Sequence, residues 1–216
     1  MKNILLIGLG RFGYHVAKEL SKLDVEVLAV DRNEQYLRDV DEFVTKTIIG
    51  DSCDIEFLRS LGINTFDECI VAIGDDFQAS LETVLNLKEI GAKMITARAS
   101  KESQEKLLIK IGANAVVYPE KQLAKWTALH AGSNSIYDYM QLDGGYGVYE
   151  VGVPDSFIGK TLYELDLRKK YHINIVGVKI NNNMNIILNP DFKFKEDETI
   201  LVIAKEEDFK KCFIID

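Results

Sequence analysis

Residues 1–20 read MKNILLIGLGRFGYHVAKEL, and this stretch decides the fold. A short apolar run leads into the glycine pattern GLGRFG at residues 8–13, and residues with helical periodicity follow it. Asp31 ends the next apolar run, about 18 residues after the last glycine. A strand, a glycine loop, a helix and a distal acid make up the dinucleotide-binding arrangement of α/β domains. The sequence therefore predicts a nucleotide site in its first segment.

Each residue of the loop has a physical role in such a site. Gly8 permits a tight turn, Gly10 lets the backbone approach a pyrophosphate, and Gly13 lets the helix pack on the strand. Asp31 can accept hydrogen bonds from a ribose diol and repels a 2′-phosphate, so ATP, ADP or NAD(H) is favoured over NADP(H). Arg11 can pair with a terminal phosphate and thereby distinguish ligands by their phosphate count. The alternative is a glycine turn that holds no ligand.

Composition and charge disfavour several classes of protein. Hydrophobic residues make up 47% of the 216 residues and charged residues 28%, as in ordinary globular proteins. A net charge of −8 disfavours nucleic acid as a partner. The apolar runs are far shorter than the roughly 20 residues of a membrane span, and no secretory signal is visible, so we expect a cytoplasmic protein. Cys53, Cys69 and Cys212 are interpreted as reduced thiols.

The first half of the chain alternates short β-branched runs with amphipathic segments. This alternation is typical of βαβ units on a parallel sheet and predicts a Rossmann-like, doubly wound domain over residues 1–119. Gly, Asp or Pro residues punctuate the ends of the predicted strands. Those strands cover residues 3–9, 26–31, 47–49, 68–73, 93–98 and 115–118.

Residues 120–142 have a helical composition and form a predicted crossover segment. They carry a large apolar load, which includes Leu123, Trp126, Ile136 and Met140. Two interpretations stay open, namely packing within the same subunit and a dimerisation interface.

Residues 143–216 predict a second, small α+β domain. We expect strands near 147–153, 173–180, 184–188 and 199–204 and a helix near 158–170. Asn181-Asn182-Asn183 lies between two of the strands, and Asn tolerates the left-handed backbone of a hairpin turn. The sequence therefore predicts a β-hairpin at this point.

A match to an enzyme motif has to be weighed against this interpretation. Tyr14 and Lys18 fit the Tyr-x-x-x-Lys pair of short-chain dehydrogenases, but they lie on the helix that would receive the phosphates. A hydride-transfer Tyr must face the nicotinamide at the far end of the cofactor, so we interpret the match as coincidence. We expect a protein that is not an enzyme, and an NAD-dependent oxidoreductase is the alternative.

Several short motifs, taken in order, resemble one family. Two sets of segments resemble the RCK domain, a regulator of potassium conductance, and the TrkA-C domain that follows it. The first set is IGLGRFG (7–13), VLAVD (27–31), IIGD (48–51), VAIGDDFQAS (71–80) and YPEK (118–121), and the second is FIGKTL (157–162) and LDLR (165–168). The resemblance implies a cytosolic gating subunit of a bacterial Ktr/Trk-type potassium-uptake system. It also implies homodimers that assemble into an octameric ring on the inner face of the membrane, bound to an integral-membrane transporter subunit. A regulator of another cation or solute carrier is the alternative.

The resemblance also implies positions for a nucleotide and a cation. It places Gly8, Gly10, Arg11, Phe12 and Gly13 around the phosphates, Asp31 and Arg32 near the ribose, Asp51 and Ser52 near adenine, Ile73 and Gly74 on the floor, and Arg98 near the distal phosphate. It places Glu120 in a Mg²⁺ or Ca²⁺ site between nucleotide domains. In the alternative interpretations, Asp51 caps the helix near residue 55, Arg98 pairs with a neighbouring acid, and Glu120 caps its own helix.

Finally, the resemblance implies that cyclic di-AMP binds the second domain at a dimer interface and inactivates transport. The matching positions are Leu162, Leu167, Arg168, Asn174, Ile175 and Pro190. Two Arg168 side chains, one from each subunit, would suit a ligand with two phosphates on a two-fold axis. The alternative is that the apolar residues are dimer core and that Arg168 complements the helix dipole together with Lys169 and Lys170.

Overall fold

Six parallel strands form the sheet of the first of two units, Met1–Glu120. The structure is a computed structural model and describes residues 1–213. The strands follow the order β3-β2-β1-β4-β5-β6, which is the doubly wound topology predicted from the sequence. They are β1 (Lys2–Ile7), β2 (Val25–Asp31), β3 (Lys46–Ile49), β4 (Glu68–Val71), β5 (Ile95–Arg98) and β6 (Ala115–Val117).

Helices cover both faces of this sheet. They are α1 (Arg11–Leu20), α2 (Glu34–Val40), α3 (Ile55–Ser60), α4 (Phe77–Glu89) and α5 (Glu102–Ile111). Side chains of the central strand β1 alternate between two cores, because Leu5 and Ile7 pack in one hydrophobic cluster and Ile4 and Leu6 in the other. Burial on both faces explains why this strand reads as a continuous apolar run.

The helix α6 (Pro119–Gly132) follows β6. Within this described helix no residue is buried. The strand β7 (Ile136–Gln141) comes next, so the helix expected from the composition of residues 120–142 is wrong for the end of that segment. Ile136, Tyr137 and Tyr139 favour a strand, and main-chain pairing with a neighbouring strand forms it.

The second unit, from Lys121 onward, contains an antiparallel sheet in the order β10-β9-β11-β8-β7. Asn181 and Asn182 have φ values of 48° and 64°, and they connect β9 to β10, which confirms the predicted hairpin. The other elements of this unit are β8 (Tyr146–Gly152), α7 (Leu162–Leu165), α8 (Leu167–Tyr171), β9 (Asn174–Ile180), β10 (Asn183–Asn185), β11 (Thr199–Lys205) and α9 (Glu206–Cys212).

Two predicted elements of the second unit differ from the observed ones. The helix predicted over 158–170 is divided into α7 and α8, because Asp166 adopts a left-handed backbone with φ 46° and ψ 43°. The strand predicted over 184–188 covers only Asn183–Asn185.

The core of the unit contains several aromatic side chains, and the rings of Tyr149 and Phe209 stack with centroids 3.8 Å apart. Across residues 1–213, the helices are too short or too polar to cross a membrane.

Candidate nucleotide-binding cleft

A cleft opens at the carboxyl ends of the parallel strands, where the strand order reverses between β1 and β4. Ligands of doubly wound domains bind at this kind of position. Most of the residues predicted to bind the nucleotide line the cleft together. They are Gly8, Gly10, Arg11, Asp31, Arg32, Asp51, Ser52, Ile73, Gly74 and Arg98. Phe12 and Gly13 lie just behind this lining, in the first turn of α1.

The glycine loop is shaped by close backbone contacts. Gly8 has φ 88°, and a Cβ atom there would stand 2.9 Å from the backbone nitrogen of Ile73. A Cβ atom on Gly13 would overlap the carbonyl oxygen of Gly8, so α1 approaches the loop closely only because this residue is glycine. At Gly10, by contrast, no described atom lies within 4 Å of the Cβ position. The backbone at Gly10 is therefore open toward a ligand.

Asp31 holds the loop in place from the end of β2. Its Oδ2 accepts a hydrogen bond of 2.7 Å from the backbone N–H of Leu9, and its Oδ1 accepts one of 2.8 Å from Asn33. An ionised carboxylate has about four acceptor positions, so two bonds leave capacity for ribose hydroxyls. Asp31 therefore both positions the loop and fits the predicted ribose contact.

The loop after β3 is fastened to α4 by two side chains of that helix, Thr83 and Asn86, that sequence reasoning missed. The hydroxyl oxygens of Ser52 and Thr83 lie 2.7 Å apart in a buried hydrogen bond. Asn86 Nδ2 donates to the carbonyl oxygen of Cys53 over 3.0 Å. Both partners on α4 are polar residues facing the protein interior, and this pattern is the only sequence signal that could have indicated them.

The capping role suggested for Asp51 is wrong. The side chain that caps α3 is Asp54, whose Oδ1 accepts from the backbone N–H groups of Glu56 and Phe57. Asp51 instead accepts a hydrogen bond of 2.9 Å from the backbone N–H of Cys53, in an Asx turn. The Asp51 carboxylate therefore belongs to the cleft and not to the helix.

Two arginines supply positive charge to the part of the cleft where the prediction places the phosphates. Arg11 is exposed at the start of α1. Arg98 is only 13% exposed, and its Nη2 donates to Glu120 Oε1 over 2.6 Å. Its guanidinium lies above Gly74, and Cζ is 5.6 Å from the centre of the Phe12 ring. Arg98 thus both lines the cleft and has the acidic partner of the alternative interpretation.

Glu120 lies in the first turn of α6, where a negative charge suits the helix dipole. A hydrogen bond from its own backbone N–H, followed by the Arg98 guanidinium, lowers the pKa of Glu120. Within residues 1–213 no group of three or more His, Cys, Asp or Glu side chains is placed to hold a metal ion. Mg²⁺ is commonly bound by one or two carboxylates together with water and phosphate oxygens, and the cation role of Glu120 stays a prediction.

The dehydrogenase-like pair on α1 lies outside the cleft lining. The Tyr14 ring packs edge-on against Phe43, with centroids 5.8 Å apart, and Lys18 Nζ lies 6.0 Å from the centre of the same ring. Tyr14 is therefore a partly buried packing residue and Lys18 an exposed one, and both lie outside the cleft lining, in agreement with the coincidental match inferred from the sequence.

Domain models identify the family of this two-part chain. The TrkA-N domain model matches residues 4–119, and the TrkA-C domain model matches residues 148–213. The chain belongs to the RCK/TrkA family. The cleft lies entirely in the TrkA-N part.

Relatives align along nearly the whole chain. The Ktr system potassium uptake protein C of Bacillus subtilis (strain 168) is 38% identical over 97% of this chain and 95% of its own length. The Ktr system potassium uptake protein A of the same organism is 32% identical over 97% of this chain and 95% of its own length. Among solved structures, the GsuK channel superposes with a TM-score of 0.72 at 18% identity, covering 99% of this chain and 39% of the channel chain. That likeness shows the shared fold.

In the TrkA-C part, the residues predicted to contact cyclic di-AMP differ in exposure. Arg168, Asn174 and Pro190 are exposed, while Leu162 and Ile175 are partly buried. The backbone N–H of Tyr163 donates to the carbonyl oxygen of Pro190 over 3.0 Å, which places the start of α7 beside residue 190. Leu167 is only 5% exposed and packs in the core of the unit. Its side chain therefore presents almost no surface to a ligand.

Proposed function

We propose that this chain is the nucleotide-controlled regulatory subunit of a membrane potassium-uptake system. The observation that carries the proposal is the 38% identity, over 97% of the chain, to a protein named for potassium uptake in the Ktr system. The cleft at the switch point of the sheet supports nucleotide control, because it combines an open glycine backbone with two arginines. Regulation of another cation or solute carrier is the outcome that the experiments below would have to exclude.

The ligand of the first domain is an adenine nucleotide, ATP or ADP, or else NAD(H). The N-terminal end of α1 and the glycine loop would hold the phosphates, since backbone N–H groups and the helix dipole attract anions. Asp31 would accept hydrogen bonds from the ribose, and Arg32 lies beside it in the lining. Asp51 and Ser52 would face the adenine, above the floor formed by Ile73 and Gly74. A solved RCK-fold channel named as bound to NAD, at 16% identity, is compatible with this choice.

We further propose that the nucleotide is sensed and not converted. Hydride transfer would need an acid or base beside the nicotinamide, and Tyr14 and Lys18 lie near Phe43, outside the cleft lining. Sustained NADH production at 340 nm with a panel of alcohols and aldehydes would overturn this part of the proposal. Such a result would leave nucleotide binding itself intact.

The partner is an integral-membrane potassium transporter, reached from the cytoplasmic side by a ring of four homodimers. The exposed face of α6 supports assembly, because Leu123 is 64% exposed and Trp126 lies on the same helix. Light scattering after gel filtration would give the mass of the assembly, and we expect that of eight chains. A monomer at all concentrations would contradict the ring.

The test of the central proposal is a reconstitution. The tagged chain is isolated from native membranes, the co-purifying membrane protein is identified, and both are placed in potassium-loaded vesicles. We expect potassium flux to depend on the regulatory chain and to differ between ATP and ADP. Flux of another ion in place of potassium would move the proposal to a different carrier, and flux unaffected by the chain would overturn it.

In the second domain we propose cyclic di-AMP as an inhibitory ligand. Arg168 is the exposed second residue of α8, and Asn174 begins β9 six residues later, so a cation and an amide stand close together in the chain. Calorimetry on the full chain should show micromolar binding that Arg168→Ala weakens, while Lys169→Ala, a neighbouring helix-end cation, leaves it unchanged. Binding that is absent, or that survives Arg168→Ala, would remove this ligand from the proposal.

A further inference from the structure

The ion pair between Arg98 and Glu120 lies in the part of the cleft where we expect the phosphates to bind. Arg98 ends β5 and lines the cleft, and its side chain is largely buried. Glu120, its partner at 2.6 Å, belongs to α6, and its side chain is 55% exposed. A guanidinium placed to meet a ligand's phosphate is therefore already bound to a carboxylate of the same chain.

This ion pair leaves part of the guanidinium unsatisfied. Among residues 1–213, Arg98 Nε is buried with no hydrogen-bond partner. An unpaired buried donor is costly, and arginine binds best when two of its N–H groups meet two oxygens of one anion. The bond to Glu120 uses Nη2. An anion that offered oxygens to both Nε and an Nη group would hold Arg98 better than Glu120 does.

Positive charge is scarce around this ion pair. The cleft lining carries four carboxylates, those of Asp31, Asp51, Asp75 and Asp76. Arg32 forms an ion pair with one of them, because its Nη2 lies 3.6 Å from Asp76 Oδ2. Arg11 and Arg98 are the remaining cations of the lining. Because Arg98 is partly neutralised by Glu120, the attraction that a phosphate feels depends strongly on where the Glu120 carboxylate stands.

We propose that Glu120 is an internal competitor of the nucleotide phosphate, and that the two exchange on Arg98. The inference rests on the proposed nucleotide site, which supplies the phosphate. A phosphate brings more charge and more oxygens than a carboxylate and can meet two N–H groups of the guanidinium. Glu120 is more than half exposed, so its carboxylate regains water when it leaves Arg98. Glu120 thereby reduces the affinity for nucleotides that bring little negative charge to Arg98. Phosphate binding breaks the ion pair that links the first turn of α6 to the end of β5.

The test compares two glutamates in closely similar settings. Glu120→Gln and Glu120→Ala remove the competitor. Glu56→Gln is the matched control, because Glu56 also lies in the first turn of a helix and pairs with an arginine, Arg59, at 2.7 Å, but outside the cleft lining. Binding of ATP, ADP and adenosine is measured by calorimetry in EDTA, so that metal ions do not contribute. Thermal melting of each variant confirms that it folds.

We expect both Glu120 variants to bind ATP about two- to fivefold more tightly than the natural chain, the range given by an ion pair of modest strength. Adenosine, which lacks a phosphate, and the Glu56→Gln control should show no gain. Hydrogen exchange at the first turn of α6 should rise when ATP binds the natural chain. In Glu120→Gln it should be raised before ATP is added.

The outcomes separate this inference from the nucleotide site itself. If ATP binds the natural chain and the Glu120 variants with equal affinity, or binds the variants more weakly, the nucleotide site stands and the exchange is overturned. If neither the natural chain nor the variants bind ATP, ADP or NADH, the nucleotide site fails and the exchange fails with it. An equal gain for adenosine would also overturn the exchange, since the phosphate would then play no part.

Discussion

Replacement by alanine should have different effects at Gly13 and at Gly10, the two later glycines of the loop. In Gly13→Ala the new Cβ atom would overlap the Gly8 carbonyl oxygen, so we expect a loss of about 1–3 kcal/mol in the free energy of unfolding. Gly10→Ala serves as the control, because φ −61° and ψ −169° suit any residue and the Cβ position is open. Its melting temperature should stay unchanged while nucleotide affinity falls about tenfold. Equal melting temperatures for the two variants would contradict the packing described for α1.

We expect Arg11 to distinguish ATP from ADP by contacting the terminal phosphate. It is exposed at the start of α1 and lines the cleft, so its guanidinium can reach a terminal phosphate. Arg11→Ala should bring the ratio of ATP to ADP affinities close to one, and the binding of both nucleotides should persist through the loop. Calorimetry with both nucleotides measures the ratio. An unchanged ratio in Arg11→Ala would show that Arg11 does not discriminate.

The site residues at the ends of strands could be predicted from the sequence. The residues of α4 that hold the loop after β3 in place could not. Gly8, Asp31 and Arg98 lie at or just beyond strand ends, where doubly wound domains place ligands, so their position follows from the pattern. The link between Ser52 and Thr83 joins residues 31 positions apart, and its existence depends on how α4 packs. Local periodicity carries no information about such a pair.

The helix α4 is the element that holds the loop after β3, where we expect the adenine to bind. Thr83→Val removes the hydroxyl partner of Ser52 without changing the shape of the side chain, and the buried Ser52 hydroxyl then lacks a partner. We expect a loss of about 1–3 kcal/mol in the free energy of unfolding. Urea unfolding measures this loss, and adenosine binding reports the effect on that loop.

The matched variant for this element is Thr83→Ser, which keeps the hydroxyl group. It should retain adenosine affinity, because the hydrogen bond to Ser52 can still form. If Thr83→Val is as stable as the natural chain and binds adenosine equally well, then α4 does not hold the loop. If Thr83→Ser, which keeps the hydroxyl group, lost as much stability and adenosine affinity as Thr83→Val, the hydrogen bond to Ser52 would not account for the loss.

Elements that bury a continuous or periodic apolar face were predicted well, and elements decided by distant pairing were not. The six strands of the first sheet and the Asn181-Asn182 hairpin follow from local signals. The strand β7 was missed because the helical composition before it was extended over its strand-forming Ile and Tyr residues, and its pairing with β8 is a tertiary contact. The break at Asp166 was missed because a left-handed non-glycine residue is rare in a helical pattern.

At the scale of the whole molecule, the three thiols report on unfolding. Burial, aided by Asp51 and Glu82, raises the pKa of Cys53 to about 12, and burial raises the pKa of Cys69 to about 12 and that of Cys212 to about 11. These values exceed the ordinary 9.0, so the thiolate fraction at pH 8 is lower in the folded chain by about a hundred- to a thousandfold. Iodoacetamide should therefore label the native chain slowly and the urea-unfolded chain fast.

The same shifts fix the direction of a pH effect. Thiols with a raised folded pKa stabilise the fold fully below pH 9, and this contribution is lost as the pH rises above it. Peptide mass spectrometry separates Cys53 and Cys69, in the first unit, from Cys212, in the second. Labelling that is equally fast in the native and unfolded chains would contradict the burial described for these thiols.

The bond from the Leu9 backbone to Asp31 has a consequence for how a ligand binds. A loop already fixed by a carboxylate on the neighbouring strand needs little ordering when a nucleotide arrives, so the entropic cost of association is low. The site is preorganised in its backbone, and its remaining adjustable parts are a few charged side chains. Differences in affinity between nucleotides should then appear mainly in dissociation rates set by those charges, with association rates that vary little from one nucleotide to the next.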